Sequence, residues 1–137
     1  MSTPTQLSTQ ASTRIVRFQG GGLRFLDACD CRVVTRPRRD LDDGQHWRVT
    51  DLGAGLSTIQ HVSSGRFLDA CMDSRVATRC RDHTAAQRWR IEDFGGGFAA
   101  IEHVGTGRFL EATTSGDFGV VMMFAGSNEQ TWRIGDP

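Results

Sequence analysis

Three acidic side chains stand at a fixed interval in this 137-residue chain: Asp27 in Arg24-Phe-Leu-Asp-Ala28, Asp69 in Arg66-Phe-Leu-Asp-Ala70 and Glu111 in Arg108-Phe-Leu-Glu-Ala112, 42 residues apart each time. A carboxylate in a repeated setting can accept hydrogen bonds from paired hydroxyls or close an ion pair. A second marker keeps step with the first. Gln45-His-Trp47, Gln87-Arg-Trp89 and Gln130-Thr-Trp132 are separated by 42 and then 43 residues. Two markers sharing one period indicate an internal triplication, in which each unit is a supersecondary piece that cannot bury its own apolar face alone.

The elements that carry these residues read as strands and turns. In the second unit Thr58-Ile-Gln-His-Val62 alternates, Phe67-Leu-Asp-Ala70 follows, Val76-Ala-Thr-Arg79 extends, and Gln87-Arg-Trp-Arg-Ile91 alternates again. That gives four strands per unit, with glycines such as Gly95, Gly96, Gly97, Gly105 and Gly107 marking the connections in unit three. No segment carries a capped helical period. Twelve short strands in three equal sets suit a closed antiparallel barrel capped by hairpins, because closure removes sheet edges. The expected fold is all-β, a β-trefoil; three blades are too few for a propeller. One domain is expected over residues 14–137, with units at about 14–56, 57–98 and 99–137, preceded by a disordered arm over residues 1–13.

By period-two alternation Gln45, Trp47 and Val49 share a face, as do Gln87, Trp89 and Ile91, and Gln130, Trp132 and Ile134. That face is expected to be the core, and each buried glutamine must find partners in backbone groups of the adjoining loop.

Composition excludes several roles. Sixteen basic and sixteen acidic side chains leave no net charge, which argues against nucleic acid as a partner. The basic run Arg32, Arg36, Arg38 and Arg39 is followed at once by Asp40, Asp42 and Asp43. The first residues lack the basic start and apolar stretch of a secretory signal, and no run is long enough to insert in a membrane, so a cytoplasmic protein is expected, with non-classical export left open. Cys29 and Cys71 are in register but Cys31 and Cys80 are not, so free thiols are expected and neither a disulfide framework nor a metal site. No cofactor is implied.

Three Gln-x-Trp motifs, each following a Leu-Asp-Ala-type strand by about twenty residues, resemble the ricin-type β-trefoil lectins over residues 14–134. The resemblance implies a non-catalytic, multivalent carbohydrate-binding protein with glycans or glycoconjugates as partners, as a monomer or homodimer. It places a sugar-binding acid at Asp27, Asp69 and Glu111, with Gln45, Gln87 and Gln130 bordering the same sites. Alternation sets Asp27 on the face opposite Leu26 and Ala28, so its carboxylate is expected to point outward, with Phe25 packed beneath the following hairpin or walling the pocket.

Two positions depart from that pattern. The family's usual Asn before the Gln is Gly44, Ala86 or Glu129 here, and the strand that supplies a stacking aromatic carries Arg36 in unit one and Arg79 in unit two. Unit three offers Phe124 and Asn128. In one reading Arg36 and Arg79, with Asp27 and Asp69 and nearby Asp43 or His83, form polar pockets for a charged or unusual glycan; the plainer alternative is an ion pair within each unit. In a second reading sugar binding is lost, and unit-specific loops, the extended Gln19-Gly-Gly-Gly22 turn and loop 113–119, recognise a protein, as in a protease inhibitor. Catalysis is not expected: His61 and His103 are equivalents of each other, which marks them as framework, and no nucleophile stands beside a base.

Overall fold

A computed structural model describes residues 12–41, 43–71, 75–114, 116, 118–126 and 128–137, with Asn128 described by its backbone alone. Residues 1–11, most of the expected arm, lie outside the described residues. Twelve strands run in chain order: β1 (Thr13–Gln19), β2 (Arg24–Cys29), β3 (Arg32–Pro37), β4 (Trp47–Gly53), β5 (Leu56–His61), β6 (Phe67–Ala70), β7 (Val76–Arg79), β8 (Trp89–Gly95), β9 (Phe98–His103), β10 (Arg108–Ala112), β11 (Val120–Met123) and β12 (Trp132–Gly135).

Six of them close a ring. Antiparallel pairings run β1 to β4, β4 to β5, β5 to β8, β8 to β9, β9 to β12 and β12 back to β1. The remaining strands form the hairpins β2–β3, β6–β7 and β10–β11, which meet through Arg32 opposite Ala77, Val34 opposite Gly119 and Arg75 opposite Val121. This is the β-trefoil expected from the repeats: a barrel with no free edge and a cap of three hairpins.

The core follows the threefold repeat. Trp47, Trp89 and Trp132 are fully buried, as are Leu26, Leu68 and Leu110. Each indole N–H donates to the carbonyl of Leu26, Leu68 or Leu110 at 3.0 Å, so the polar edge of each ring is satisfied where it is hidden from water. Phe18, Ile59 and Ile101 complete the layer.

Two sequence expectations are corrected here. Gln87 and Gln130 do not lie on the strand with their tryptophans but in short 3-10 turns, Ala85–Gln87 and Asn128–Gln130, and Gln45 lies in a turn before β4. Their burial therefore comes from the turn and not from strand alternation. The Gln19-Gly-Gly-Gly22 turn, expected to be extended, is the shortest of its kind: Gln19 faces Phe25, whereas Gln60 faces Phe67 and Glu102 faces Phe109, one residue further on.

The missing residue is replaced by close packing. His61 lies with its ring 4.9 Å from Trp47 and His103 5.3 Å from Trp89, and both bridge loop groups, His61 to Gly44 and Ser64, His103 to Ala85 and Thr106. They are framework residues, as expected. Gly20 takes the corresponding place in unit one, where a Cβ would stand 3.1 Å from Cζ3 of Trp132. The indole is there covered by backbone and not by an imidazole.

Candidate functional site

Each unit builds the same clasp around its acid. Gln45 Nε2 donates to Asp27 Oδ2 at 3.1 Å and to the Pro37 carbonyl at 2.8 Å, while its Oε1 accepts from the Arg39 N–H at 3.0 Å. Gln87 Nε2 donates to Asp69 Oδ2 at 3.0 Å and to the Cys80 carbonyl at 2.8 Å, and its Oε1 accepts from the Asp82 N–H at 3.1 Å. Gln130 repeats the pattern with Glu111 Oε1 at 3.1 Å, the Phe124 carbonyl at 2.7 Å and the Gly126 N–H at 3.3 Å. One amide thus ties a strand carboxylate to the loop before the next barrel strand, satisfying every polar group it buries.

The clasp also corrects the expected exposure of the acids. Asp27 and Asp69 do lie on the face opposite the core leucines, but the loop and its glutamine roof that face, leaving 1% and 3% of each residue exposed. Asp27 Oδ1 further accepts from the Ala28 N–H at 2.7 Å. Phe25 and Phe67 share the roofed face and are buried, capped by the guanidinium groups of Arg38 and Arg81 at 5.7 and 5.6 Å from the ring centroids. Both rings provide packing, and Phe25 also borders an opening of about 380 Å³ with Arg17 and Arg38.

A guanidinium stands over each aspartate. Arg79 Nε lies 3.9 Å from Asp69 Oδ1, and Arg39 Nη1 lies 4.0 Å from Asp27 Oδ2. Arg36, expected at Asp27, faces Phe25 in the β2–β3 ladder as Arg79 faces Phe67, yet it makes no ion pair with Asp27 among the described residues. Arg39 and Asp82 hold the same place in the clasp, each two residues past the carbonyl that the glutamine holds and each donating its N–H to the glutamine Oε1, so unit one sets a guanidinium over its acid where unit two has a carboxylate. Arg79 also donates to Cys71 Sγ at 3.6 Å, and this contact, with Asp69 adding to it, raises its pKa above the ordinary guanidinium value.

The other expected residues are placed differently. Asp43 contributes its carbonyl, which accepts from the His46 N–H at 3.1 Å. His83 is exposed in the loop before Gln87, with its carbonyl accepting from Arg88 Nη2 at 3.3 Å. In unit three Met123, and not Phe124, faces Phe109 in the ladder; Phe124 is exposed, with the Arg108 guanidinium 4.8 Å from its ring centroid. The side chain of Asn128 lies outside the described residues. The four cysteines are free thiols.

Arg17 was not anticipated. It is 3% exposed, donates from Nη1 to Gln45 Oε1 at 2.9 Å, pairs Nη2 with His46 Nε2 at 3.2 Å, and lies 3.6 Å from Asp40. Its Nε has no partner among the described residues. Val16, Ser57 and Ala99 face Trp47, Trp89 and Trp132, so Arg17 stands where the other units have Thr58 and Ala100. Aligning the units on their tryptophan partners and not on the 42-residue period reveals this cation. A depression of about 520 Å³ lies elsewhere, at the open barrel end over Val49, Ile91 and Ile134.

Comparison with known proteins agrees with this geometry. A designed threefold-symmetric protein, ThreeFoil, superposes with a TM-score of 0.80 at 24% identity, covering 90% of this chain and 99% of its own. A Polyporus squamosus lectin, solved with a sialylated epitope, matches at TM-score 0.78 and 16% identity over 88% of this chain and 48% of the lectin. An exo-β-1,3-galactanase from Clostridium thermocellum matches at 0.78 and 22% identity, over 90% of this chain and 30% of the enzyme. At these identities the likeness establishes the fold. No curated protein sequence matches the chain. The family model of the ricin-type beta-trefoil lectin domain-like proteins matches residues 43–124, which include one complete acid-glutamine clasp, Asp69 with Gln87, and one member of each of the others, Gln45 and Glu111. On that match and on the threefold clasp, the chain belongs to the ricin-type β-trefoil lectin domain-like family.

Proposed function

We propose that the protein is a non-catalytic carbohydrate-binding protein whose two similar sites, at Asp27 and Asp69, take acidic sugars, with unit three diverged. The observation that carries this reading is the pairing of a clasped aspartate with a partly exposed guanidinium in the first two units. Side chains of Arg39 and Arg79 are 44% and 59% exposed, and they approach the carboxylates at 4.0 and 3.9 Å, beyond hydrogen-bonding distance. Such loose pairs contribute little, so a ligand can displace them at small cost. Vicinal sugar hydroxyls then donate to the aspartate, held in orientation by Gln45 or Gln87, while the displaced guanidinium receives the carboxylate or sulfate of the sugar. Each site is weak alone, and two on one chain gain by multivalency.

Titration of the 15N-labelled protein with galactose and with galacturonic acid tests the reading. Galacturonic acid is expected to move the amides of Ala28, Arg39, Ala70 and Arg79 at lower concentration than galactose, and Arg79→Ala to remove that preference at the second site. Equal response to the two sugars would exclude acid selectivity. The competing reading, a module that has lost sugar binding and recognises protein, draws support from the burial of both carboxylates. Neither sugar moving either site would favour it.

A further inference from the structure

Units one and two each carry an opening of about 380 Å³ beside the position of Arg17 and its equivalent Thr58, and the two differ in charge: that of unit one, lined by Arg17 and Arg38, also has Asp136 in its wall. In unit one the Arg17 guanidinium occupies the space beside Gln45. In unit two the equivalent residue is Thr58, and the cavity opens there between the β4–β5 turn and loop 81–88. Leu52, Leu56 and Thr58 line one side, and Arg81, His83 and Arg88 the other.

The charge of this cavity is one-sided. Among the described residues no acid lines it. Arg88 donates to the His83 carbonyl and Arg81 rests on the Phe67 ring, and among the described residues neither is paired with a carboxylate. Arg38, the counterpart of Arg81 over Phe25, is instead neutralised by Asp40 at 2.7 Å. The adjacent Asp82 is engaged by its own turn, accepting from Thr84 N–H at 2.9 Å and Thr84 Oγ1 at 2.7 Å. In unit three the residue after the clasp glutamine is Thr131 where unit two has Arg88.

We propose that this cavity binds a small organic anion, its carboxylate, sulfate or phosphate held by Arg81 and Arg88 and its compact apolar body seated against Leu52 and Leu56. The volume falls within the range of small-ligand sites, about 300–1,000 Å³. Guanidinium forks match such heads in two-point geometry, and they are most effective where no internal acid competes. The site adjoins the second clasp, since Gln87 lines it and also donates to Asp69, but its anion-holding groups are Arg81 and Arg88 and not the aspartate, so it stands whether or not the aspartates bind sugar.

Phenyl phosphate, titrated into the 15N-labelled protein at low ionic strength, is the probe. Saturable shifts are expected at Ala54, Thr84 and Arg88, at lower concentration than inorganic phosphate requires. Arg81→Ala and Arg88→Ala, both at exposed positions, are expected to weaken binding by about tenfold each, the loss of a charge-assisted hydrogen bond. Thr58→Glu, which sets a carboxylate in the lining, is expected to abolish it with a dispersed amide spectrum retained. Galacturonic acid run alongside distinguishes a sugar-borne carboxylate from a free organic anion, since only the former shifts the cavity amides in preference to phenyl phosphate. Shifts as large along residues 36–39 as in the cavity, or undiminished binding by Arg81→Ala and Arg88→Ala, would overturn the proposal.

Discussion

The barrel interior and the loop rim of this molecule obey the threefold repeat to very different degrees. Inside, Trp47, Trp89 and Trp132 make the same 3.0 Å bond to Leu26, Leu68 and Leu110, and the three glutamines hold a loop carbonyl at 2.8, 2.8 and 2.7 Å. At the rim the residues that follow the three glutamines are a histidine, an arginine and a threonine: His46, Arg88 and Thr131. Close packing tolerates little change in volume or polarity, so the interior keeps its pattern. The rim faces water, where a substitution is cheap, and there the units acquire different chemistry.

This contrast predicts where change is costly. Trp89→Ala opens a cavity in the packed layer and is expected to lower stability by about 3–5 kcal/mol, read from urea unfolding. Gln87→Leu leaves the Asp69 carboxylate and the Cys80 carbonyl without their shared donor and is expected to cost about 2–3 kcal/mol in the same assay. If it costs no more than Arg79→Ala, the clasp is not a structural element. Gly20→Ala forces its methyl group against Trp132 and is expected to cost on the order of 1 kcal/mol, a loss that the corresponding change at exposed Gly21 avoids. Arg79→Ala, at the rim, is expected to alter stability by less than about 0.5 kcal/mol while changing sugar preference.

The smallest effect is electrostatic. Asp82 has its pKa held below the ordinary carboxylate value by the Thr84 hydroxyl and N–H, with Arg79 and His83 adding to the effect. A depressed native pKa stabilises the fold above the unfolded-state pKa, and the contribution fades as pH falls through the native value. Carboxyl NMR titration is expected to show a low midpoint for Asp82 that rises in Thr84→Val. An unchanged midpoint would mean that the hydroxyl bond is not formed.

The fold was legible because its determinants repeat. Trp47 recurring as Trp89 and Trp132, and Leu-Asp-Ala recurring before them, report burial three times over. The site was less legible because its determinants lie in loops whose lengths differ. Arg39, and not Arg36, stands over Asp27, in the loop place that unit two gives to Asp82, and a one-residue shorter turn hid the equivalence of Arg17 with Thr58. Burial of Asp27 and Asp69 was equally invisible to strand alternation, which separates two faces and does not say what roofs the second.

The central claim is that the clasped aspartates of units one and two hold acidic sugars. A glycan array probed with the wild-type protein and with the shape-preserving double variant Asp27→Asn/Asp69→Asn tests it most directly. Wild-type signal confined to acidic glycans, lost in a folded double variant, is the predicted result. Retention of that signal in the double variant, or silence of the folded wild-type protein across the array, would contradict it.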